Sequence, residues 1–270
     1  AVPWPSVSAL TKALLPGTVT VLAGAGGATK SFFRLEAQMY WHDKGVKVAS
    51  FELEEDRAFH LHRALAMRSG TTGILDDEWV RDHPDEARDI EQKHRDWLAS
   101  FGRTLWDAPT KTIPIGDLVG WVRERCQESC RVVIIDPITA ADFGKAPWQS
   151  GGDFINDVKS VMREYGSSLI VITHPVKGRR GMRPSIEDIA GGAAFERFPQ
   201  TVMWFQSFAE KRKVKVRSLN ATVEDEANRM MYLFKTRNAT GQGVQIGFEF
   251  DAKTLSFREC GTIQQEKASA

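Results

Sequence analysis

The chain predicts an α/β fold: a mostly parallel central sheet flanked by helices, with an antiparallel extension toward its C-terminal side. Three observations carry this expectation. Residues 131–136 (RVVIID) and 168–173 (SLIVIT) are short, almost wholly apolar runs, the mark of strands buried on both faces of a parallel sheet. Helical and strand patterns alternate up to about residue 200, as βαβ units require. After residue 201 strand patterns follow one another with turns between them, as in antiparallel pairing.

Taken in order, residues 1–16 are short and broken by Pro3, Pro5 and Pro16, too little for a domain. A strand is expected over 18–23, a helix over 30–44, a second strand over 46–53 (VKVASFEL) and a helix over 57–68. Residues 76–100 are crowded with charge and carry Trp79 and Trp97; one or two solvated helices laid over the side of the domain fit this insertion. An amphipathic helix is expected over 115–126, the first buried strand over 131–136, a helix over 153–165 and the second buried strand over 168–173. Further strands are expected over 201–205, 214–216, 231–234, 244–250 and 254–257, with the main domain spanning 17–260 and a flexible polar tail over 261–270. The basic run from Lys211 to Arg217 reads as an edge strand guarded by charge, nucleic-acid contact being the lesser reading.

Between the first strand and helix lies Gly24-Ala25-Gly26-Gly27-Ala28-Thr29-Lys30-Ser31. Strand, glycine-rich loop and helix in this order make a P-loop, in which backbone amides and a helix N-terminus surround a polyphosphate. Lys30 would reach the β- and γ-phosphates, and Ser31 would ligate Mg²⁺. Thr29 stands where the G-x-x-x-x-G-K-[ST] pattern has its second glycine. If that position needs φ > 0, a β-branched residue is strained there, so nucleotide binding is expected ahead of fast hydrolysis.

Other chemistry-bearing residues fall at strand ends. Asp136 closes a buried strand, at the sheet edge where α/β proteins bind ligands, and beside a P-loop it would hold Mg²⁺ through water. Glu54 follows the second strand, where a carboxylate can orient or deprotonate an attacking water. Glu52, inside that strand, and Glu55, in a helix first turn, compete for the role on spacing alone. Thr173-His174 ends the next buried strand, with His174 either a γ-phosphate sensor or an ordinary hydrogen-bonding residue. The segment after it sets Lys177, Arg179, Arg180 and Arg183 among glycines, suited to a phosphate backbone and equally to a solvated surface loop. Lys235 and Arg237, two apart on a strand, share a face and from a neighbouring subunit could reach a γ-phosphate.

Composition bounds the rest. The 270 residues are 42% hydrophobic and 26% charged, ordinary for a globular domain with a sizeable core. With a net charge of only +1, nucleic-acid affinity must come from local patches. Cys126, Cys130 and Cys260 fit neither a disulfide framework nor a zinc spacing. No apolar run approaches the length of a membrane span, and a reducing cytoplasm is expected.

Together these blocks resemble the RecA-like ATPase domain of hexameric replicative helicases, of the DnaB family and of the small plasmid RepA type, from about residue 15 to residue 257. SFELEEDRAFHLHRALAM is similar to the segment bearing the catalytic glutamate, which selects Glu54. RVVIIDPIT resembles the Walker B block, VITHPVKG the sensor strand, residues 188–196 (DIAGGAAFE) the motif after the DNA-binding loop, and KTRN the Lys-x-Arg finger. The resemblance implies ATP with Mg²⁺, hydrolysis at subunit interfaces, a homo-oligomer, expected to be a hexamer, and translocation on single-stranded DNA through residues 177–183, with other replication proteins as possible partners. DnaB-type proteins carry an N-terminal domain and a linker helix for which the chain has no room, so a fragment or a RepA-like minimal ring is expected. Residues 76–100 match nothing in the pattern. Two alternatives stay open: a nucleotide-gated scaffold that hydrolyses poorly, motivated by Thr29, and a recombination- or clock-type RecA-like ATPase.

Overall fold

The computed structural model describes residues 1–109, 112–176, 183–190, 193–217 and 222–264. Strands β1 (Thr18–Ala23), β2 (Val48–Glu52), β3 (Leu105–Asp107), β4 (Val132–Asp136), β5 (Ser168–Thr173), β6 (Thr201–Arg217), β7 (Thr222–Thr236), β8 (Gln245–Asp251) and β9 (Ser256–Thr262) form one sheet ordered β3-β2-β4-β5-β1-β6-β7-β8-β9. From β3 to the start of β6 every pairing is parallel, and from β6 to β9 every pairing is antiparallel. The expected architecture is therefore the observed one.

Helices α1 (Pro5–Thr11), α2 (Lys30–Asp43), α3 (Arg57–Ser69), α4 (Asp77–Asp82), α5 (Pro84–Phe101), α6 (Ile115–Gln127), α7 (Pro147–Tyr165) and α8 (Ala193–Arg197) cover the sheet. The strand period of two divides the core. Val133, Ile135, Val19 and Val21 pack with Leu118 and Val122 of α6 and with Phe154, Ile155 and Val158 of α7. Val132, Ile134 and Leu22 point the other way, onto Phe33, Ala37 and Trp41 of α2 and Trp4 and Val7 from the N-terminal segment. Trp4 stacks on Phe33 with ring centroids 3.6 Å apart, so these first residues belong to the core. In α5 the polar first half stays exposed, while Trp97 stacks on Phe101 and donates from Nε1 to Asp43 at 2.7 Å.

Several expectations need correction. The runs 201–205 and 214–216 are two stretches of the single strand β6. The basic run is no edge strand: Arg212–Arg217 pairs with β7 on one side and Val216 bridges Ile263 on the other. Its charges are matched across the ribbon, Lys213 facing Glu226, Lys215 facing Glu224, and Lys211 paired with Glu249. β9 lies beyond the expected 254–257 because Leu255 occupies the preceding turn at φ 56. The tail does not begin at 261, since β9 runs to Thr262 and the Gln264 amide donates to the Lys215 carbonyl; residues 265–270 lie outside the described set. α7 starts at Pro147, ahead of the expected 153, Gly151 and Gly152 having weakened the helical signal. β3, three residues long, is too short to leave a periodicity.

Candidate nucleotide-binding site

The parallel strands end on one edge, and the glycine-rich loop leaves β1 there with β5 as neighbour and β4 next. Gly24 has φ 155, and a Cβ on it would sit 2.2 Å from the Phe205 carbonyl oxygen of β6. No larger residue fits while β6 is paired at that distance. Gly27 takes φ 73, and α2 starts from Thr29 in the left-handed region at φ 65. The glycine-like backbone inferred from the pattern is thus present, with a threonine in it. Its hydroxyl accepts from Nε of Arg229 on β7 at 2.9 Å, and that guanidinium lies 5.0 Å from the Phe250 ring centroid.

The amides of Gly26, Gly27, Thr29, Lys30 and Ser31 donate to no acceptor among the described residues. Gathered at the N-terminus of a 14-residue helix, they form a concave donor set that suits an anion. The Lys30 ammonium lies inside this loop, donating to the Gly24 carbonyl at 2.7 Å and the Ala25 carbonyl at 2.9 Å. Burial lowers its pKa to about 8, against the opposing pull of Asp136 and Glu54. His174, half-buried at the end of β5, is likewise held below its ordinary value, first by burial and then by the Lys30 cation, with Glu54 and Asp136 opposing. Lys30, Glu54, Asp136 and His174 are therefore near enough to sense one another.

The three competing glutamates are separated by their surroundings. Glu52 is 1% exposed and accepts from Arg34, His60 and Ser50, an internal ion pair closed to solvent. Glu55 lies beside Arg63 of α3, and Asp56 caps α3, accepting from the Phe59 amide at 2.7 Å. Glu54, exposed like Glu55, is the one of the three that is coupled to Lys30 and His174.

For Mg²⁺ the donor set is the Ser31 hydroxyl, which bonds none of the described residues, and Asp136. Hard oxygen ligands beside a polyphosphate cradle fit that ion. Asp136 is not free, however: Arg34 on α2 holds its Oδ2 through Nε at 3.1 Å and Nη2 at 2.9 Å. Arg34 escaped the sequence reading, as did Arg229. The available signal was a polar pair one turn apart, Arg34 and Gln38, on a helix otherwise buried on most sides, set against a glutamate inside a buried strand.

Lys235 and Arg237 do not join this group. Lys235 lies beside Val202, and the Arg237 amide donates to Gln200, whose own amide donates to Val19 near the start of β1. Five residues of strand, about 16 Å, separate the Arg237 level from Gly24, and three, about 10 Å, separate that of Lys235, which faces Val202 and through it Val21. The Lys235 ammonium donates to the carbonyls of Glu196 at 2.7 Å and Arg197 at 2.6 Å, and Arg237 to that of Arg197 at 2.9 Å, at the end of α8. Of the basic segment, Lys177, Arg179 and Arg180 lie outside the described residues, and Arg183 is exposed. The stem is a short ladder: the Ala190 amide donates to the His174 carbonyl at 3.0 Å, and the Val176 amide to the Asp188 carbonyl at 2.8 Å. Cys126 and Cys130 are buried, with the Cys130 thiol pushed up to about 11 by burial. Among the described residues no helix is long and apolar enough to cross a membrane.

A family model described as an AAA domain matches residues 1–180. The chain belongs to this family. No curated protein matches the sequence. Solved structures extend the likeness past residue 180. One of them, an ATPase domain, matches with a TM-score of 0.67 at 15% identity, covering 90% of this chain and 84% of that one. A DnaB-like replicative helicase, solved for its interactions with primase, matches with a TM-score of 0.68 at 15% identity, and the match covers 90% of this chain and 57% of the helicase. The RadB recombinase gives 0.59 at 13% identity, with 90% and 91% covered. The fold is the RecA-like one that these structures share.

Proposed function

We propose that this chain is the ATP-hydrolysing motor domain, within residues 17–260, of a cytoplasmic ring-forming DNA helicase, acting on single-stranded DNA as a homo-oligomer, a hexamer by likeness to the replicative type. The observation that carries this reading is the grouping of Lys30, Glu54, Asp136 and His174 around a loop several of whose amides donate to none of the described residues, while Lys235 and Arg237 donate to carbonyls at the end of α8.

The amides from Gly26 to Ser31 hold the β- and γ-phosphates, and the Lys30 ammonium turns from the Gly24 and Ala25 carbonyls toward them. Ser31 and, through water, Asp136 would hold magnesium, which would supply positive charge to the transferring phosphoryl group. Glu54, exposed at the mouth, orients the attacking water and accepts its proton. His174 senses the γ-phosphate, and its carbonyl is tied to Ala190, so a shift of His174 moves the stem of the basic segment that touches DNA. Lys235 and Arg237 lie too far from their own loop and act on the nucleotide of the adjacent copy.

Complementation between two inactive chains tests this arrangement. Glu54→Gln and Arg237→Ala each abolish DNA-stimulated hydrolysis alone, and mixing them restores part of it because some interfaces carry neither substitution. If the mixture stays dead, the shared site is wrong. A second reading, a nucleotide-gated scaffold with weak hydrolysis, draws on Thr29 at φ 65; brisk turnover by the unmodified chain removes it.

A further inference from the structure

The least expected group at this edge is Arg34. It is 2% exposed and lies one helical turn beyond Lys30, so the two cations share a side of α2. A guanidinium has five N–H donors, and all five are used. Nε and Nη2 donate to Asp136 Oδ2 at 3.1 and 2.9 Å, and Nη2 donates to Glu52 Oε2 at 2.8 Å. Nη1 donates to Gln38 Oε1 at 2.8 Å and Ser50 Oγ at 3.3 Å. Glu52 is further secured by His60 Nε2, 3.0 Å from the same oxygen, and by the Ser50 hydroxyl on Oε1. The planar fork is thereby fixed from three elements, α2, β2 and β4, and it fixes one carboxylate oxygen of Asp136 in turn. Among the described residues no donor bonds the other oxygen, Oδ1.

We propose that Arg34 is a positioning residue and internal counterion for the metal-holding carboxylate: it orients Asp136 and offsets its charge, so that a divalent cation is captured only together with nucleotide phosphate. The proposal rests on the nucleotide reading above and adds the order in which the site fills. The guanidinium sits directly on Oδ2 of Asp136 and offsets that carboxylate's charge where a metal would meet it, while Lys30 and Glu54, of opposite sign, face the same position. A bare cation therefore meets weak attraction there. Phosphate oxygens would supply the missing negative charge, and Asp136, acting through water, would offer Oδ1 without having to reorient. A lysine at position 34 would keep the charge and lose the fork, releasing Asp136 to turn.

Binding of Mn²⁺ to the full chain, followed by the spin-resonance signal of free Mn²⁺, tests this without turnover. Three proteins are compared: the unmodified chain, the charge-balanced double variant Arg34→Gln with Glu52→Gln, and Arg34→Lys. Each is measured with Mn²⁺ alone and with a non-hydrolysable ATP analogue. The unmodified chain should bind Mn²⁺ alone feebly and gain strongly from the analogue. The double variant should bind Mn²⁺ alone about tenfold more tightly, so that the mutual enhancement of metal and analogue shrinks by a similar factor. Arg34→Lys should move the same way by about threefold. Folded variants whose Mn²⁺ affinity equals that of the unmodified chain overturn the proposal. Should the double variant not fold, the unmodified chain alone still decides, because Mn²⁺ held equally tightly with and without analogue is incompatible with Arg34 as counterion. Failure of the unmodified chain to bind the analogue would instead refute the nucleotide reading, leaving the Mn²⁺-alone comparison to judge Arg34.

Discussion

Two lysines of this chain are held alike and surrounded oppositely. Lys30 donates to two backbone carbonyls in the glycine-rich loop, Lys235 to two at the end of α8, and burial brings both to a pKa of about 8. Around Lys30 stand carboxylates, Asp136 and Glu54, which draw its proton back. Around Lys235 stand first the cations Arg237 and Lys159, which push it off, with Glu196 opposing. Lys159 itself donates to the Phe198 carbonyl at 3.0 Å, so three cations converge on one short stretch of backbone. The first lysine sits in a balanced pocket with its own acids and its own amides. The second belongs to a cationic surplus with carbonyl partners only, a surface that an external anion would complete. The roles proposed for them, a primary phosphate site in one place and a finger acting in trans in the other, thus rest on surroundings and not on the bonds themselves.

The largest test of that contrast separates binding from turnover. Lys30→Ala should weaken nucleotide binding by roughly 100-fold, the loss of a charge-assisted contact in a buried site, read from the fluorescence of a labelled ATP analogue on the isolated chain. Arg237→Ala should leave that binding within about twofold while reducing hydrolysis by the assembled protein about 1,000-fold, as loss of an arginine finger does. If Arg237→Ala weakens binding by the single chain as much as Lys30→Ala does, the two lysine environments serve the same site and the comparison fails.

A smaller effect comes from pH. Unliganded Lys30 titrates near pH 8, and a bound polyphosphate keeps the ammonium charged, so above that pH binding must take up a proton. Affinity should hold steady below about pH 7 and fall as pH rises through about 8, with a limiting slope of about tenfold per unit. Lys235→Ala should leave this binding profile unchanged, since its own proton is lost on the opposite edge. Isothermal titration in buffers of different ionisation enthalpy reads the proton uptake directly; none at about half a unit above the Lys30 pKa would mean that Lys30 does not meet the phosphates.

What could be read beforehand follows the same division. The strands 131–136 and 168–173 announced themselves because both faces are buried, so composition alone marks them. The glycine-rich loop was equally plain, its residue types being imposed by backbone geometry that Gly24 and Gly27 demonstrate. Arg34 was hidden because its role depends on three segments meeting; its one local sign, Gln38 a turn later, would suit an exposed helical face equally well. β6 was divided in two because its middle, Gln206 to Lys213, is half exposed and polar, and pairing with β7 continues through a register irregularity between Ser207 and Arg212. The glutamate proposed to be catalytic could not be chosen from spacing, since Glu52 and Glu54 differ chiefly in what they touch.

The finest prediction concerns Thr29, where the cradle departs from its glycine pattern. Left-handed backbone costs a non-glycine residue about 1 kcal/mol or more, and the hydrogen bond from Arg229 returns an amount on the order of 1 kcal/mol. Thr29→Ala keeps the backbone cost and loses the bond, so denaturant unfolding should show a loss of about 1 kcal/mol. Thr29→Gly loses the bond and the cost together, so its stability should stay within about 0.5 kcal/mol of the parent. The order of the two variants is the informative quantity. Alanine above glycine would mean that the loop is not held left-handed at this position, and the motive for a slow-hydrolysing scaffold would go with it. Glycine above alanine, with turnover unchanged, would show that Arg229 already compensates the substitution and that the cradle is as competent as one built on glycine.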